Sequence, residues 1–441
     1  MVFKKNILKL LILTLSILLI FSLTSCGEAG SETIYPKETL SENTEKSILQ
    51  NKDHVWKYLD KWDFPLFDSG KLKSVEVLCR NNYYKEIIPP YELALKTASY
   101  FLENLYDSTD LSDKTATTDA LAYAMVESIG DRYAEYRPKD EYEEYYTDLS
   151  GKFVGIGITV KYDAKEKAMH VVSVSSNSPA EKAGVLADDK IISVGGASVA
   201  EIGYDAALNA VKGEAGTTVE LGVKRNGEII TLTATRASIT EESVIYSLDE
   251  NKIGYIRITS FKLNTDEQFE KAVDYMLDNS AKGIIYDLRS NHGGYLSSVE
   301  HMLDYIAPKG TTLVSFSHNY GKDYVAKNTH TALLPSVVIC NGSTASAAEL
   351  FTAGIRDLSS MGHLDAVIVG EKTYGKGVMQ RTYNLSDKSA VTMTVAFYNP
   401  PSGENYDGVG ILPDFEVSLT DDGDAQKDSA YQHLKELINK K

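Results

Sequence analysis

Three short segments of this 441-residue chain combine reactive side chains with glycine. They are Asp287-Leu288-Arg289-Ser290-Asn291-His292-Gly293-Gly294, Asn341-Gly342-Ser343-Thr344-Ala345-Ser346-Ala347-Ala348-Glu349 and Thr373-Tyr374-Gly375-Lys376-Gly377. Each follows an apolar run that reads as a strand, and open α/β sheets place their sites at such strand ends. Ser346 stands where a helix begins. A hydroxyl there projects from the sheet edge, and the first helix amides point at a developing oxyanion, which suits acyl transfer. Gly293 and Gly294 can offer a second amide, because glycine lets backbone approach closely. Each piece alone has a plainer reading. Ser346-Ala347-Ala348-Glu349 fits the capping box S/T-x-x-E that merely starts a helix. Lys376 reads as a solvated lysine, and His292 as a loop histidine.

Other chemistries fit less well. Gly370 to Gly377 nearly matches the phosphate-binding loop GxxxxGK[ST]. Its last position is Gly377 where a hydroxyl must hold magnesium, and Val378 to Tyr383 reads as a strand where a helix is required. Gly155-Ile156-Gly157 also leads into a strand, so it is not a dinucleotide fingerprint. The eight histidines include no pair at ligand spacing beside a carboxylate cluster. A formal charge of −17, from 62 acids against 45 bases, disfavours nucleic acid, whose phosphates need clustered Lys and Arg. Three cysteines make no disulfide framework. Cys340 closes the apolar run Val337-Val338-Ile339 and reads as a buried free thiol.

The elements that must position these loops follow from hydropathy. Ala94, Ala98, Phe101, Leu102 and Leu105 share one helix face, and the N-terminal part reads as mostly helical up to a break at Gly130-Asp131-Arg132-Tyr133. Residues 151–236 turn β-rich, with strands expected at Ile156–Val160, His170–Val174, Lys190–Val194, Thr218–Val223 and Ile229–Ala234. Two helices are expected among them, one capped by Ser178 with Pro179 in its first turn and one over Tyr204–Val211. From Lys252 onward strands at Ile253–Ile258, Gly283–Leu288, Pro335–Cys340 and Ala366–Val369 alternate with helices at Thr265–Leu277, Tyr295–Ile306 and Ser346–Asp357. That alternation predicts an α/β sheet covered on both faces.

Taken in order, these pieces resemble the C-terminal processing (tail-specific) serine peptidases. The matching segments are Gly130-Asp131-Arg132-Tyr133; Phe153-Val154-Gly155-Ile156-Gly157-Ile158; Ser178-Pro179-Ala180-Glu181-Lys182-Ala183-Gly184-Val185; Val211-Lys212-Gly213-Glu214-Ala215-Gly216-Thr217; the first loop above; Thr344-Ala345-Ser346-Ala347-Ala348-Glu349; Thr373-Tyr374-Gly375-Lys376-Gly377-Val378-Met379-Gln380; Pro401-Ser402-Gly403; and Gly408-Val409-Gly410-Ile411-Leu412-Pro413-Asp414. The resemblance implies an α+β multidomain chain. Its parts would be a helical region at 51–150, an inserted PDZ domain at 151–236, a ClpP/crotonase-like α/β protease core at 237–420 and a helical tail at 421–441. It implies a serine-type endopeptidase without cofactor or metal. Ser346 would be the nucleophile, Lys376 the general base and Gln380 the residue that orients the lysine amine. The amide of Ala347 and one from Gly293 or Gly294 would form the oxyanion hole. Such a lysine works near neutral pH only when burial lowers its pKa. Gly155, Ile156, Gly157 and Ile158 would hold the carboxylate of a protein or peptide substrate with an accessible C-terminus. Asp357, about three helical turns after Ser346, matches an acid in some members, and a structural role is expected for it. The competing expectation is a catalytically inactive PDZ lipoprotein that binds protein C-termini.

The first 25 residues carry Lys4 and Lys5, then the apolar run Leu10 to Leu23. That run is shorter than the roughly 20 residues of a membrane span, so it reads as a signal-peptide core. It ends in Leu23-Thr24-Ser25-Cys26-Gly27, which resembles a bacterial lipobox. A lipid on Cys26, a flexible tether at 26–50 and an extracytoplasmic place at the bacterial cell membrane are the expectations.

Overall fold

The computed structural model describes residues 67–84, 88–175, 177–317, 321–328, 333–419 and 423–440. The expected signal segment, Cys26 and the tether lie outside them. The chain divides into two compact units. One takes in the described residues up to 144 with 315–323 and 377–399; the other takes in 145–314, 324–376 and the described residues from 400 onward.

In the larger unit, runs of Ile and Val build a six-stranded sheet. Its order is Val244–Leu248, Ile253–Ile258, Gly283–Asp287, Ser336–Cys340, Ala366–Gly370 and Phe415–Glu416. The first pair is antiparallel and the remaining pairs are parallel. Gly283–Asp287 and Ser336–Cys340 are buried at every position, as parallel strands covered on both faces must be. On one face Ile285, Val337, Ile339 and Val369 pack against Ala430 and Leu434 of the C-terminal helix Ala425–Asn439. On the other, Tyr286 meets Phe351 of the helix Ala347–Ser360 at 5.4 Å between ring centroids, edge to face. Phe269 of the helix Thr265–Asp278 meets the same Phe351 at 5.7 Å. Val244–Leu248 escaped the sequence pattern as a mostly exposed edge strand, and Thr312–Phe316 escaped it too, burying only Leu313 and Val314, so neither carries a clean apolar period.

The β-rich segment of this unit is a sheet ordered Ile158–Asp163, Ala168–Val174, Lys190–Val194, Thr218–Arg225 and Glu228–Thr235. Its core is Met169, Val171, Ile191, Leu221 and Val223 with Ala207 and Val211 of the helix Tyr204–Val211. Ser178 caps the short helix Pro179–Lys182, its Oγ accepting from the Glu181 amide at 3.1 Å. A further one-turn helix, Val199–Ile202, joins the two expected ones. The strand expected at Ile156–Val160 instead runs Ile158–Asp163. Lys152–Gly155 pairs with Ala237–Thr240 in a separate ribbon, and the chain turns at Gly157 (φ +80°) before entering the sheet.

The smaller unit packs the helices Ser69–Asn82, Pro90–Asn104 and Lys114–Glu127 with the strands Val378–Asn384 and Ala390–Asn399. Leu93, Phe101, Leu121 and Met125 share one core with Val391 and Met393. Thus residues 377–399 complete the helical region, although they follow the Thr373–Gly377 loop in sequence. The Gly130–Tyr133 motif is a turn within this unit: the Asp131 carboxylate accepts from the Tyr133 amide at 3.1 Å and the Thr394 amide at 2.8 Å.

Candidate active site

The parallel register sets the site. Asp287 lies opposite Ile339, and Cys340 opposite Gly370. Three adjacent strands therefore end at one level, and their loops leave side by side. Thr344, fully buried, stitches them together. Its Oγ1 donates to the Leu288 carbonyl at 2.9 Å, and its own carbonyl accepts from the Tyr374 amide at 3.0 Å.

Ser346 sits on a strained turn with φ +57° and ψ −120°, directly before its helix. L-residues avoid that region unless their surroundings enforce it, and such strain marks nucleophile elbows. The Gly293-Gly294 turn lies against it. A Cβ on Gly293 would come within 2.9 Å of Ser346 Cβ and 3.0 Å of the Ala347 nitrogen. A Cβ on Gly294 would come within 2.0 Å of the Phe261 carbonyl oxygen. Only glycine fits at either position. Buried Asn291 holds this turn: its Oδ1 accepts from the Gly293 amide, its Nδ2 donates to the Ile258 carbonyl, and its own carbonyl accepts from the Ala345 amide, each at 2.9 Å. The Gly293 amide is thereby committed to Asn291. The Gly294 amide has no acceptor among the described residues.

Glu349 does more than cap the helix. It is fully buried, and its carboxylate accepts from four donors. These are the Ser346 amide at 2.9 Å, the Thr373 hydroxyl at 2.6 Å, the Gly375 amide at 2.7 Å and the Lys376 amide at 2.8 Å. One carboxylate thus fixes the serine turn to the lysine loop. Lys376 is itself half-buried. Buried Tyr406 adds a contact from its hydroxyl to the Ser346 carbonyl at 3.4 Å. The Glu349 bridge and Tyr406 were not apparent from sequence. The capping box marked Glu349, but its acceptors' partners lie in a loop that only the sheet register brings near.

Other expected residues fall as follows. His292 is exposed. Asp357 is buried and ties the Pro401-Ser402-Gly403 loop, accepting from the Ser402 amide at 2.9 Å. Gln380 lies in the smaller unit, where its amide donates to the Tyr133 carbonyl. Cys340 is a buried free thiol, which burial pushes up to about 12. Burial also raises the Asp287 carboxyl, but hydrogen bonds from Arg289 and Tyr255 outweigh it and hold the group below the usual carboxylate range. Arg289 then reaches Asp424 at the start of the C-terminal helix, at 2.6 Å. Among the described residues no three His, Cys, Asp or Glu side chains gather as a metal ligand set. In the β-rich segment the carbonyls of Ile156 and Gly157 are taken by the Ala180 and Ser175 amides at 2.8 and 3.0 Å. The amides of Ile156 and Gly157 have no acceptor among the described residues.

Comparison with known proteins bears on this arrangement. Residues 252–417 match peptidase family S41, and residues 154–235 match the PDZ domain. The carboxy-terminal processing protease CtpA of Bacillus subtilis is 34% identical over 319 residues, covering 72% of this chain and 66% of that protein. A probable CtpA-like serine protease of Staphylococcus epidermidis is 32% identical over 391 residues, covering 86% of this chain and 77% of that one. The crystal structure of a putative S41 protease from Bacteroides fragilis superposes with a TM-score of 0.50 at 15% identity, over 83% of this chain and 97% of that one, a likeness of fold. The chain belongs to peptidase family S41, among its PDZ-containing members that resemble the carboxy-terminal processing proteases. It spans just under two thirds of the Bacillus protein's length.

Proposed function

We propose that the protein is an extracytoplasmic, lipid-anchored serine endopeptidase that cleaves proteins or peptides recognised near their C-termini, through a Ser346–Lys376 dyad. The observation that carries this is the Glu349 carboxylate, which holds the Ser346 and Lys376 amides together. A structural helix cap has no need of the second partner.

The neutral Lys376 amine takes the proton of Ser346 Oγ as that oxygen attacks the scissile carbonyl. The oxyanion so formed is met by the Ala347 amide and one from the glycine turn, where the Gly294 amide is uncommitted among the described residues and that of Gly293 is held by Asn291. Lys376, now an ammonium, gives its proton to the leaving amine, and an ester on Ser346 remains. Water then attacks that ester, losing a proton to the same amine, and Ser346 leaves with a proton back on its oxygen. The PDZ loop Gly155–Ile158 receives the substrate carboxylate on its amides.

The purified protein should cleave an unfolded substrate such as casein, and Ser346→Ala should abolish cleavage. Cleavage retained in that variant sinks the assignment. Lys376→Ala with full activity sinks the base assignment alone. Labelling of Ser346 by an acylating active-site probe separates an enzyme from an inactive C-terminus-binding lipoprotein.

A further inference from the structure

The PDZ segment ends its sheet with Ile158–Asp163, whose only strand partner among the described residues is Ala168–Val174. Its other edge faces the helix Tyr204–Val211. In an antiparallel ladder alternate residues turn their amide and carbonyl away from the partner strand. Val160 lies opposite Val171, and Val171 spends its amide and carbonyl on Asp189 and Asp188 on its far side, at 2.9 Å each. Val160 therefore turns its own polar groups outward, to the free edge. Ile158, two residues earlier on the same strand, has the same parity.

That edge is already spanned. The Tyr204 hydroxyl, from the first residue of the facing helix, donates to the Val160 carbonyl at 3.1 Å. The ring of Tyr162 meets the Tyr204 ring edge to face at 5.8 Å and steadies it. Ile158, Val160, Tyr204 and Leu208 are all partly buried against the segment's core, so they line an apolar groove between strand and helix.

A C-terminal chain adding to this edge would pair residue by residue. With its carboxylate on the Ile156 and Gly157 amides, its last residue falls opposite Ile158. Its third residue from the end then falls opposite Val160, two positions along. The amide of that third residue needs the carbonyl that Tyr204 holds, and the phenol stands in its path. We infer that Tyr204 is a latch on the peptide groove: an incoming C-terminus pairs fully with the strand only by displacing the Tyr204 hydroxyl from Val160. This rests on the proposed recognition of C-termini, and the test keeps the two apart.

The test uses the full chain carrying Ser346→Ala, so that no probe is cut, with and without Tyr204→Phe. The probes are fluorescein-labelled decapeptides ending in Ala, Val, Leu or Phe, each as free carboxylate and as amide, read by anisotropy. Phenylalanine keeps the ring and its contact with Tyr162 and removes only the competing hydrogen bond. A free-carboxylate peptide should bind Tyr204→Phe about fivefold more tightly, the scale of one neutral hydrogen bond. Its amide should bind neither form. Equal or weaker binding by Tyr204→Phe, with the parent binding well, overturns the latch and leaves C-terminus recognition standing. If carboxylate and amide bind alike, or neither binds either form, C-terminus recognition falls and the latch falls with it.

Discussion

At Ser346 two constraints meet, a left-handed φ of +57° and a buried carboxylate that holds its amide. The strain lifts the hydroxyl clear of the helix, and Glu349 keeps the turn in register with Lys376. Replacing Glu349 by glutamine preserves volume but turns an NH2 group toward donors, so at least one buried N–H or O–H loses its acceptor. Glu349→Gln should therefore lower kcat by about a hundredfold, the scale of a small misplacement of reacting groups, with KM changed far less. Steady-state kinetics on a quenched fluorescent peptide decide it; an unchanged kcat would mean the carboxylate does not set the geometry. Ser346 stood out as a nucleophile candidate because it opens a helix after a strand, whereas Lys376 alone reads as a solvated lysine and became a base candidate only through the family resemblance. The bridge was not, because Thr373, Gly375 and Lys376 lie 24 to 27 residues beyond Glu349 and meet it only through parallel pairing.

Among the elements, the sheet and its helices were legible and the helical unit's partner was not. Ile253–Ile258 and Tyr204–Val211 form with the expected bounds because the local apolar period is clear there. Nothing local in Val378–Asn384 or Ala390–Asn399 says that their apolar side covers helices far earlier in the chain, so that assignment needed the fold. Two tests belong at this level. Gly294→Ala drives a Cβ to 2.0 Å from a backbone oxygen that cannot move alone, whereas Gly184→Ala, at φ +85°, meets nothing within 4 Å. The first should cost roughly 2–3 kcal/mol more than the second in urea unfolding; equal costs would mean the Phe261 contact yields freely. The second test concerns the ties at the C-terminal helix. Hydrogen bonds from Arg289 outweigh burial and hold the Asp424 carboxyl below its usual range. A carboxyl lowered by folding stabilises the fold above its unfolded pKa, and that contribution disappears as pH falls through the folded value. The parent should therefore exceed Asp424→Asn in urea midpoint at neutral pH, and the gap should shrink as pH falls below the usual carboxylate range and vanish below the lowered folded value. A gap that persists in acid would assign the effect to packing.

For the molecule as a whole, charge decides how it can be held at a membrane. The formal charge is −17, and the proposed removal of residues 1–25 would take away Lys4, Lys5 and Lys9 but no acid, leaving the chain more negative still. An anionic bilayer repels such a chain. Among the described residues no helix is long and apolar enough to cross a membrane. On the proposed reading, attachment comes from the segment before residue 67 through lipid on Cys26, and the competing source is Leu10–Leu23 retained as an anchor. Lipid chains contribute about 0.8 kcal/mol per buried methylene, and salt does not weaken that term, whereas surface electrostatics fade within a Debye length of roughly 3 Å at about 1 M salt. The parent should stay with membranes through a molar salt wash. Cys26→Ser, in which no lipid can be attached, is the decisive variant. Its appearance in the soluble extracytoplasmic fraction, or its retention as an unprocessed precursor of higher mass, fits the lipidated form. A Cys26→Ser protein of unchanged mass that remains in the membrane would assign the anchor to Leu10–Leu23, and the lipoprotein reading would fall.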